Sequence, residues 1–261
     1  MFGSPGTAGA REACARERPR SLIAGPEFYP SDRIAELMRF YVAVLRPLAY
    51  WLSRLFFRIE FRGTENIPLE GPCIIAPNHV TYADPVWISI PVLRPIRYMA
   101  WDRMFRIPVL GFLMRVFGAF PVRLEGGDVS AQREAVELLR QGQALVIFPE
   151  GGRTKTGALM PFKLGAFRLA LAQGVPILPV TIKGAYEVWP VGQLLPHPGK
   201  LTVTYHPLIR VEALSDPARE DLKAKARVLA RSAHDVVATA LPPSASDGES
   251  GASARLKETK A

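Results

Sequence analysis

The amino-acid sequence predicts an α/β fold in which a mostly parallel sheet is flanked by helices and preceded by a pair of amphipathic helices. Short apolar runs typical of buried strands alternate with segments whose apolar residues recur at helical spacing. The run 144–148 (Ala-Leu-Val-Ile-Phe) is apolar throughout, which is typical of a central strand with both faces covered. With 261 residues, 48% of them hydrophobic and 22% charged, the chain can bury one sizeable core.

Composition divides the chain into four segments. Residues 1–30 mix Gly, Pro, Ala and Arg without periodicity, and they predict a disordered leader. Residues 31–57 predict the amphipathic helices, and residues 58–240 the α/β domain. Residues 241–261 are rich in Ser, Gly and Lys and predict a disordered tail.

Within the α/β domain, turn residues separate the candidate elements. Pro176 and Pro179 place their strand near an edge or an end of the sheet, because proline donates no hydrogen bond to a ladder. Asp84 and Pro85 are predicted as the N-cap and first residue of a helix. Strands are predicted at 58–62, 73–76, 97–101, 144–148, 176–182 and 201–205, and further helices begin at Asp128 or Ser130, at Phe162 and at 217.

The segment 32–57 combines helical apolar spacing with arginines and aromatic residues, and Pro47 is expected to break it into two helices. This composition favours helices that lie in a membrane interface. The alternative is a helix pair that packs on the core of its own domain.

The net charge of +9 favours a partner with negative charge. Six arginines and a single acid occur between 94 and 123, among large aliphatic side chains. Nucleic-acid sites combine basic residues with polar and stacking groups, so this mixture favours an anionic membrane surface and not nucleic acid. No apolar stretch reaches 18 residues, which predicts a peripheral or monotopic protein on the cytoplasmic face of the membrane.

The stretch 78–85 (Asn-His-Val-Thr-Tyr-Ala-Asp-Pro) connects a predicted strand to a predicted helix. In a loop, His79 and Asp84 can meet, although five residues apart on a helix they would not. A buried aspartate that accepts from one imidazole nitrogen leaves the other nitrogen free as a general base. Alternatively, Asp84 only caps the helix and His79 is a structural loop histidine.

A second candidate site, 148–154, follows the strand at 144–148. Both loops would leave the carboxyl ends of strands, where ligands of parallel α/β sheets bind. Gly151 and Gly152 allow backbone N–H groups to face an anion, and Arg153 offers a fork suited to phosphate. Glu150 can accept from a hydroxyl or hold Arg153 in place. The alternative is a glycine-rich turn with surface charges.

Several common sites are absent from the sequence. It contains no G-x-S-x-G elbow, no glycine-rich nucleotide motif and no zinc-ligand spacing, which predicts that the protein uses neither a serine nucleophile nor a metal or cofactor. Cys14 and Cys73 lie in unlike contexts, which favours free thiols in a reducing compartment. A His-Asp pair beside a phosphate clamp then suggests that the base activates a hydroxyl of the substrate.

The chain resembles the lysophospholipid acyltransferase family, of the 1-acylglycerol-3-phosphate acyltransferase type, in four motifs that occur in order. Lys163 and Gly165 also fit the family pattern after the third motif. The motifs are 78–85 (His79 and Asp84), 118–123 (Gly-Ala-Phe-Pro-Val-Arg), 148–154 (Phe-Pro-Glu-Gly-Gly-Arg-Thr) and 175–180 (Val-Pro-Ile-Leu-Pro-Val).

The resemblance implies that His79, oriented by Asp84, removes a proton from the free hydroxyl of a lysophospholipid. The hydroxyl oxygen then attacks the thioester of acyl-CoA or acyl carrier protein, with no acyl-enzyme. It also implies that the glycerol phosphate is held by Arg123, Glu150, Gly151 and Arg153, with support from Lys163.

Thr81 and Val122 depart from the commoner family residues, so an acceptor other than lysophosphatidate, such as a lyso-aminolipid, stays open. A thioesterase that uses the same pair on water and a non-catalytic membrane-surface protein are the rival functions.

Overall fold

The computed structural model describes residue 44 and residues 46–123, 129–212 and 221–242. The predicted leader, the first part of the helix pair and the tail from 243 onward lie outside these residues. The described elements are α1 (Arg46–Phe57), β1 (Glu60–Arg62), β2 (Cys73–Pro77), α2 (Asp84–Ser89), β3 (Ile96–Trp101), α3 (Pro108–Val116), β4 (Ala119–Val122), α4 (Val129–Arg140), β5 (Ala144–Val146), α5 (Gly165–Gln173), β6 (Ile177–Lys183), α6 (Ala185–Val188), β7 (Thr202–Tyr205) and α7 (Leu222–Thr239).

The described strands form one seven-stranded sheet in the order β1-β7-β6-β2-β5-β3-β4. Neighbouring strands pair in parallel throughout, except for the antiparallel pair β6–β7. The predicted α/β fold with a mostly parallel sheet is therefore confirmed. At the centre, β2 lies between β5 and β6, and Ile75 pairs with Val146 of β5.

The sheet separates two apolar layers, and its central strands contribute to both. Cys73 and Ile75 face one layer, whereas Ile74 and Ala76 face the other. This alternation follows from the two-residue period of a strand, and it explains why β2 is apolar at every position. The first layer includes side chains of α2 and α6, and the second includes those of α4, α5 and α7.

Helix α1 is described from Arg46 to Phe57 and includes Pro47. The prediction that Pro47 divides the segment into two helices falls in part on residues outside the described ones. Its Tyr50 and Phe57 pack against the first apolar layer. Trp51, Leu55 and other apolar residues remain exposed. The helix thus packs on its own domain with one face while another apolar face stays open.

The prediction that the strand at 176–182 lies near an edge is wrong, because β6 is third from one end of the sheet. Pro176 precedes the strand, and Pro179, the one proline within it, is accommodated in another way. Pro179 lies one residue before the register pair Val180–Tyr205, where the ladder with β7 begins. Its carbonyl accepts the N–H of His206 at 3.0 Å, and the N–H that proline lacks falls at the end of the ladder.

The chain between β5 and α5 is longer than predicted. The strand ends at Val146 and not at 148, and the helix begins at Gly165 and not at Phe162. The N–H of Gly151 donates to the carbonyl of Phe148 at 3.1 Å, so the backbone turns immediately after the strand. Residues 147–164 therefore form one long loop at the carboxyl end of β5.

Candidate active site

Two loops leave the sheet at the same edge, because β2 and β5 are parallel neighbours. The first, residues 78–83, connects β2 to α2, and the second is the loop 147–164. This edge holds the carboxyl ends of the strands, the position at which α/β sheets bind ligands. The prediction that both loops follow the carboxyl ends of strands is therefore confirmed.

His79 and Asp84 form a hydrogen-bonded pair, with Nδ1 of the imidazole 2.8 Å from Oδ2 of the carboxylate. The Asp84 side chain is fully buried, and that of His79 is 18% exposed. A carboxylate accepts from the Nδ1–H of the imidazole and so leaves Nε2 as the basic nitrogen. Nε2 has no hydrogen-bond partner in the described part of the chain and can receive a proton.

Asp84 does not cap its helix, contrary to the prediction. The helix begins at Asp84 itself, and the N-cap position is Ala83. The carboxylate turns back into the preceding loop, where Oδ2 accepts the N–H groups of Val80 at 2.6 Å and Thr81 at 2.9 Å. The hydroxyl of Thr81 donates to Oδ1 at 2.7 Å. These bonds fix the carboxylate against the imidazole.

The second loop forms hydrogen bonds with both the N–H and the carbonyl of His79. The N–H of His79 donates to Oε1 of Glu150 at 2.7 Å, and its carbonyl accepts the N–H of Thr154 at 2.9 Å. The imidazole stacks on the ring of Phe148 with centroids 3.9 Å apart. The orientation of the base therefore depends on both loops, and neither loop moves without disturbing it.

Glu150 is a buried carboxyl with 4% exposure. Its second oxygen accepts the N–H of Met160 at 3.0 Å, so the side chain connects the His79 loop to the far end of its own loop. Burial raises the pKa of Glu150 to about 7, against the lowering effect of the bonds from His79 and Met160, and the charge of Asp84 raises it further. Among the described residues Glu150 makes no ion pair with Arg153, so the predicted role of holding that arginine is not seen.

Arg153 and Lys163 of the second loop are not paired with an acid among the described residues. The guanidinium of Arg153 also donates no hydrogen bond there. Arg94 is the opposite case, since its guanidinium donates to the carbonyls of Pro68 and Gly71. Arg153 and Lys163 thus keep their donors and charge for a ligand.

Gly151 allows the Lys163 ammonium to lie close to the turn that precedes Arg153. Its φ of +71° is favourable for glycine, and a Cβ at this position would collide with Nζ of Lys163. The lysine backbone is fixed as well, because its N–H donates to the carbonyl of Pro149 at 2.8 Å. The absence of a side chain at Gly151 lets the ammonium lie against the turn.

Arg123 lies at the same edge of the sheet but further away. It follows β4, the terminal strand, and β3 lies between β4 and β5. With strands spaced about 5 Å apart, this places the backbone of Arg123 about 10 Å from the end of β5. The side chain is exposed at the edge that carries the two loops.

The structure adds four residues that the sequence analysis did not assign. Asn78 pairs with the backbone of Ile182, donating to its carbonyl at 3.0 Å and accepting its N–H at 2.7 Å. Thr81 and Phe148 contact the His-Asp pair as described above. Tyr82 lies beneath Arg153, whose Cζ is 3.4 Å from the ring centroid. A short polar side chain three residues before Asp84 was a signal for Thr81, whereas the contacts of Asn78 and Tyr82 cross between distant segments.

Other features of the described residues bear on cofactors and membranes. They contain no group of three or more His, Cys, Asp or Glu side chains arranged to hold a metal ion. No described helix combines the length and apolarity required to cross a bilayer. Cys73 is a free, buried thiol, and burial raises its pKa to about 11.

The arrangement pairs an oriented base with uncompensated positive charge. Such a site can remove a proton from a hydroxyl whose parent molecule is held by a phosphate group. Among the described residues no serine or cysteine forms a hydrogen bond with the imidazole, whose hydrogen-bond and stacking partners are Asp84 and Phe148.

Comparison with known proteins places the chain among acyltransferases. Residues 58–183 match the acyltransferase family. A 1-acyl-sn-glycerol-3-phosphate acyltransferase from Borreliella burgdorferi is 30% identical over 177 residues, which cover 67% of this chain and 70% of the relative. A chloroplastic protein of the same name from Brassica napus is 30% identical over 174 residues, 64% of this chain and 50% of the relative. The chain thus spans about half the length of that chloroplastic relative.

A solved structure has the same architecture. The crystal structure of the 1-acyl-sn-glycerophosphate acyltransferase from Thermotoga maritima superposes with a TM-score of 0.61 and 26% sequence identity. The superposition covers 80% of this chain and 82% of that chain.

Proposed function

We propose that this chain transfers a fatty acyl group from a thioester to the free hydroxyl of a lysophospholipid. The chain belongs to the acyltransferase family that includes the 1-acyl-sn-glycerol-3-phosphate acyltransferases. The acceptor that the charges favour is lysophosphatidate, and the product is phosphatidate. The donor is acyl-CoA or acyl carrier protein.

In this proposal His79 is the general base and Asp84 orients it. Nε2 of His79 takes the proton of the acceptor hydroxyl while the hydroxyl oxygen attacks the thioester carbonyl. An ester bond forms, the carbon–sulfur bond breaks, and the proton on His79 is available for the departing thiolate. The protein forms no covalent intermediate, and no step requires a cofactor.

The acceptor phosphate lies against Arg153 and Lys163, with the backbone turn at Gly151 between them. A dianion that approaches this turn gains charge-assisted hydrogen bonds from donors that no described group occupies. Arg123 contributes from the terminal strand, where it meets a more distant part of the headgroup or the donor. Glu150 belongs to the site by holding the His79 loop, because both of its oxygens already accept backbone N–H groups.

The single observation that carries this proposal is the juxtaposition of the His79–Asp84 pair with Arg153. Four contacts join the two loops. Glu150 and Thr154 bond to the backbone of His79, the ring of Phe148 stacks on its imidazole, and Arg153 lies on Tyr82. A base fixed at one distance from a phosphate site selects a hydroxyl that is a few bonds from a phosphate, as in glycerol 3-phosphate derivatives.

We further propose that the enzyme works as a peripheral or monotopic protein on the cytoplasmic face of an anionic membrane. The exposed apolar residues Trp51 and Leu55 of α1 and Val109 and Phe112 of α3 support this location. Both helices carry arginine, which suits anionic headgroups. The acyltransferase domain extends over 58–240. The family match at 58–183 and the strands up to Tyr205 support most of this range, and the packing of α7 in the second apolar layer supports its end.

The test is acyl transfer by the purified full chain, with products identified by lipid mass spectrometry. Labelled acyl-CoA or acyl carrier protein is offered with lysophosphatidate, with a lyso-aminolipid, or with no acceptor. We expect phosphatidate in the first case and no acceptor-independent release. Free fatty acid without acceptor supports the thioesterase, acylation of the lyso-aminolipid alone changes the acceptor, and no turnover with either donor refutes the proposal.

A further inference from the structure

Tyr82 lies between His79 and Asp84 in the sequence, yet its side chain points away from the core and is 60% exposed. A large aromatic ring in this position contributes little to the apolar layers. Its recorded contact is with Arg153 of the other loop, whose Cζ lies 3.4 Å from the ring centroid. The other two cation–aromatic pairs of the described residues are looser, at 5.0 and 5.2 Å.

This short distance fixes the orientation of the guanidinium. A guanidinium standing on its edge at 3.4 Å would bring a nitrogen closer to the ring than van der Waals contact permits, so the two planes lie face to face. The N–H bonds of Arg153 then point sideways, parallel to the ring. One face of the cation is covered by Tyr82, whereas no described residue forms a hydrogen bond with the edge that binds phosphate oxygens bidentately.

We infer that Tyr82 is a positioning residue for acceptor binding: its ring holds the guanidinium of Arg153 with its N–H edge toward the acceptor phosphate. This inference rests on the proposed function and deepens it, because it assigns a role in acceptor specificity to a residue outside the His-Asp pair and the glycine turn. An arginine with many accessible rotamers is thereby held in one before the substrate arrives. Because Tyr82 belongs to the His79 loop, the same contact sets the distance from phosphate to base.

The aromatic ring is required, and the hydroxyl is not. The described structure records no hydrogen bond of the Tyr82 hydroxyl, so Tyr82→Phe keeps every interaction invoked here. Tyr82→Leu keeps apolar bulk but removes the negative face of the ring. The two variants are therefore a matched pair that separates stacking from volume and from hydroxyl chemistry.

The experiment measures kcat and KM for lysophosphatidate with the full chain at saturating acyl donor. Cation–aromatic contacts contribute about 0.5–2 kcal/mol, which corresponds to about 2- to 30-fold in affinity. We expect Tyr82→Leu to raise the acceptor KM within that range with kcat little changed, and Tyr82→Phe to match the parent. Combined with Arg153→Ala, Tyr82→Leu should add nothing, because its effect acts through Arg153.

Three outcomes would overturn the inference: an unchanged KM in Tyr82→Leu, an equal loss in Tyr82→Phe, or effects of Tyr82→Leu and Arg153→Ala that add. Circular dichroism and thermal unfolding show whether Tyr82→Leu is folded, and Tyr82→Trp, which restores an aromatic face, should recover the parent KM.

Calorimetric binding of glycerol 3-phosphate separates this inference from the proposed function. If the parent protein acylates no lysophosphatidate, the proposed function fails. Weaker binding of glycerol 3-phosphate by Tyr82→Leu than by Tyr82→Phe would still support the role of the ring, whereas equal binding or no binding by any variant would refute it.

Discussion

Glu150 provides the sharpest link between the site and the stability of the protein. Its carboxyl is buried, and its pKa is raised to about 7 mainly by that burial. In the unfolded chain the same carboxyl ionises near its ordinary value of 4.5. Replacing Glu150 by Gln removes the ionisation and keeps the size of the side chain, at the cost of one accepted N–H bond that does not depend on pH. The pH dependence of the difference between the two proteins therefore isolates this one titration.

The sign follows from proton binding. Between pH 4.5 and about 7 the folded protein holds a proton on Glu150 that the unfolded chain has released. Folding is therefore increasingly disfavoured by this group as the pH rises through that window, and its contribution is constant above it. A shift from 4.5 to about 7 corresponds to about 3 kcal/mol, at about 1.4 kcal/mol per pKa unit.

The assay is urea unfolding of the parent and of Glu150→Gln at several values from pH 4.5 to 7.5, at constant ionic strength. We expect the free energy of unfolding of the parent to fall relative to Glu150→Gln by about 3 kcal/mol across this range. Glu70→Gln, which removes an exposed carboxyl, controls for the general loss of charge. A constant difference between parent and Glu150→Gln would refute the environment described for Glu150.

Two further predictions concern the phosphate clamp and the membrane face. Gly151→Ala should raise the acceptor KM in the transfer assay, because the added Cβ displaces Lys163 and the φ of this position is +71°. Gly152→Ala should leave KM unchanged, because the space around that position is open. Equal effects of the two substitutions would contradict the role of the turn. Leu55→Asp should weaken sedimentation of the protein with anionic phospholipid vesicles. Val228→Asp should not, although the two side chains are similarly exposed, at 76% and 71%. An equal loss of sedimentation in both variants would indicate a general effect of charge.

Sequence reasoning predicted the fold because the pattern of this chain is local and strong. β2 and β5 begin where predicted, at Cys73 and Ala144, although β5 ends two residues earlier. Their parallel pairing brings the loops of His79 and Arg153 to one edge. The position of β6 in the sheet was predicted wrongly because of its proline. A proline can occupy an interior strand when its missing N–H falls where a ladder ends, and the position of that end depends on the neighbouring strand.

The prediction that Asp84 is the N-cap of its helix was also wrong. The sequence Asp-Pro before an apolar run is a good N-cap signal. The carboxylate can accept N–H groups of the helix or of the preceding loop. Here it accepts the N–H groups of Val80 and Thr81 in the loop. Contacts between loops, such as Tyr82 with Arg153, were beyond sequence reasoning because they depend on how two separate turns lie at one sheet edge.

The central claim is that Nε2 of His79 removes the proton of the acceptor hydroxyl. The direct measurement is the kcat of His79→Ala for acyl transfer to lysophosphatidate, beside the parent and Asp84→Asn, with folding checked by circular dichroism. Loss of a general base predicts a decrease of about 100- to 10,000-fold in His79→Ala, and Asp84→Asn should also lose activity because the imidazole is no longer oriented. A folded His79→Ala protein that forms phosphatidate at the parent rate would contradict the claim.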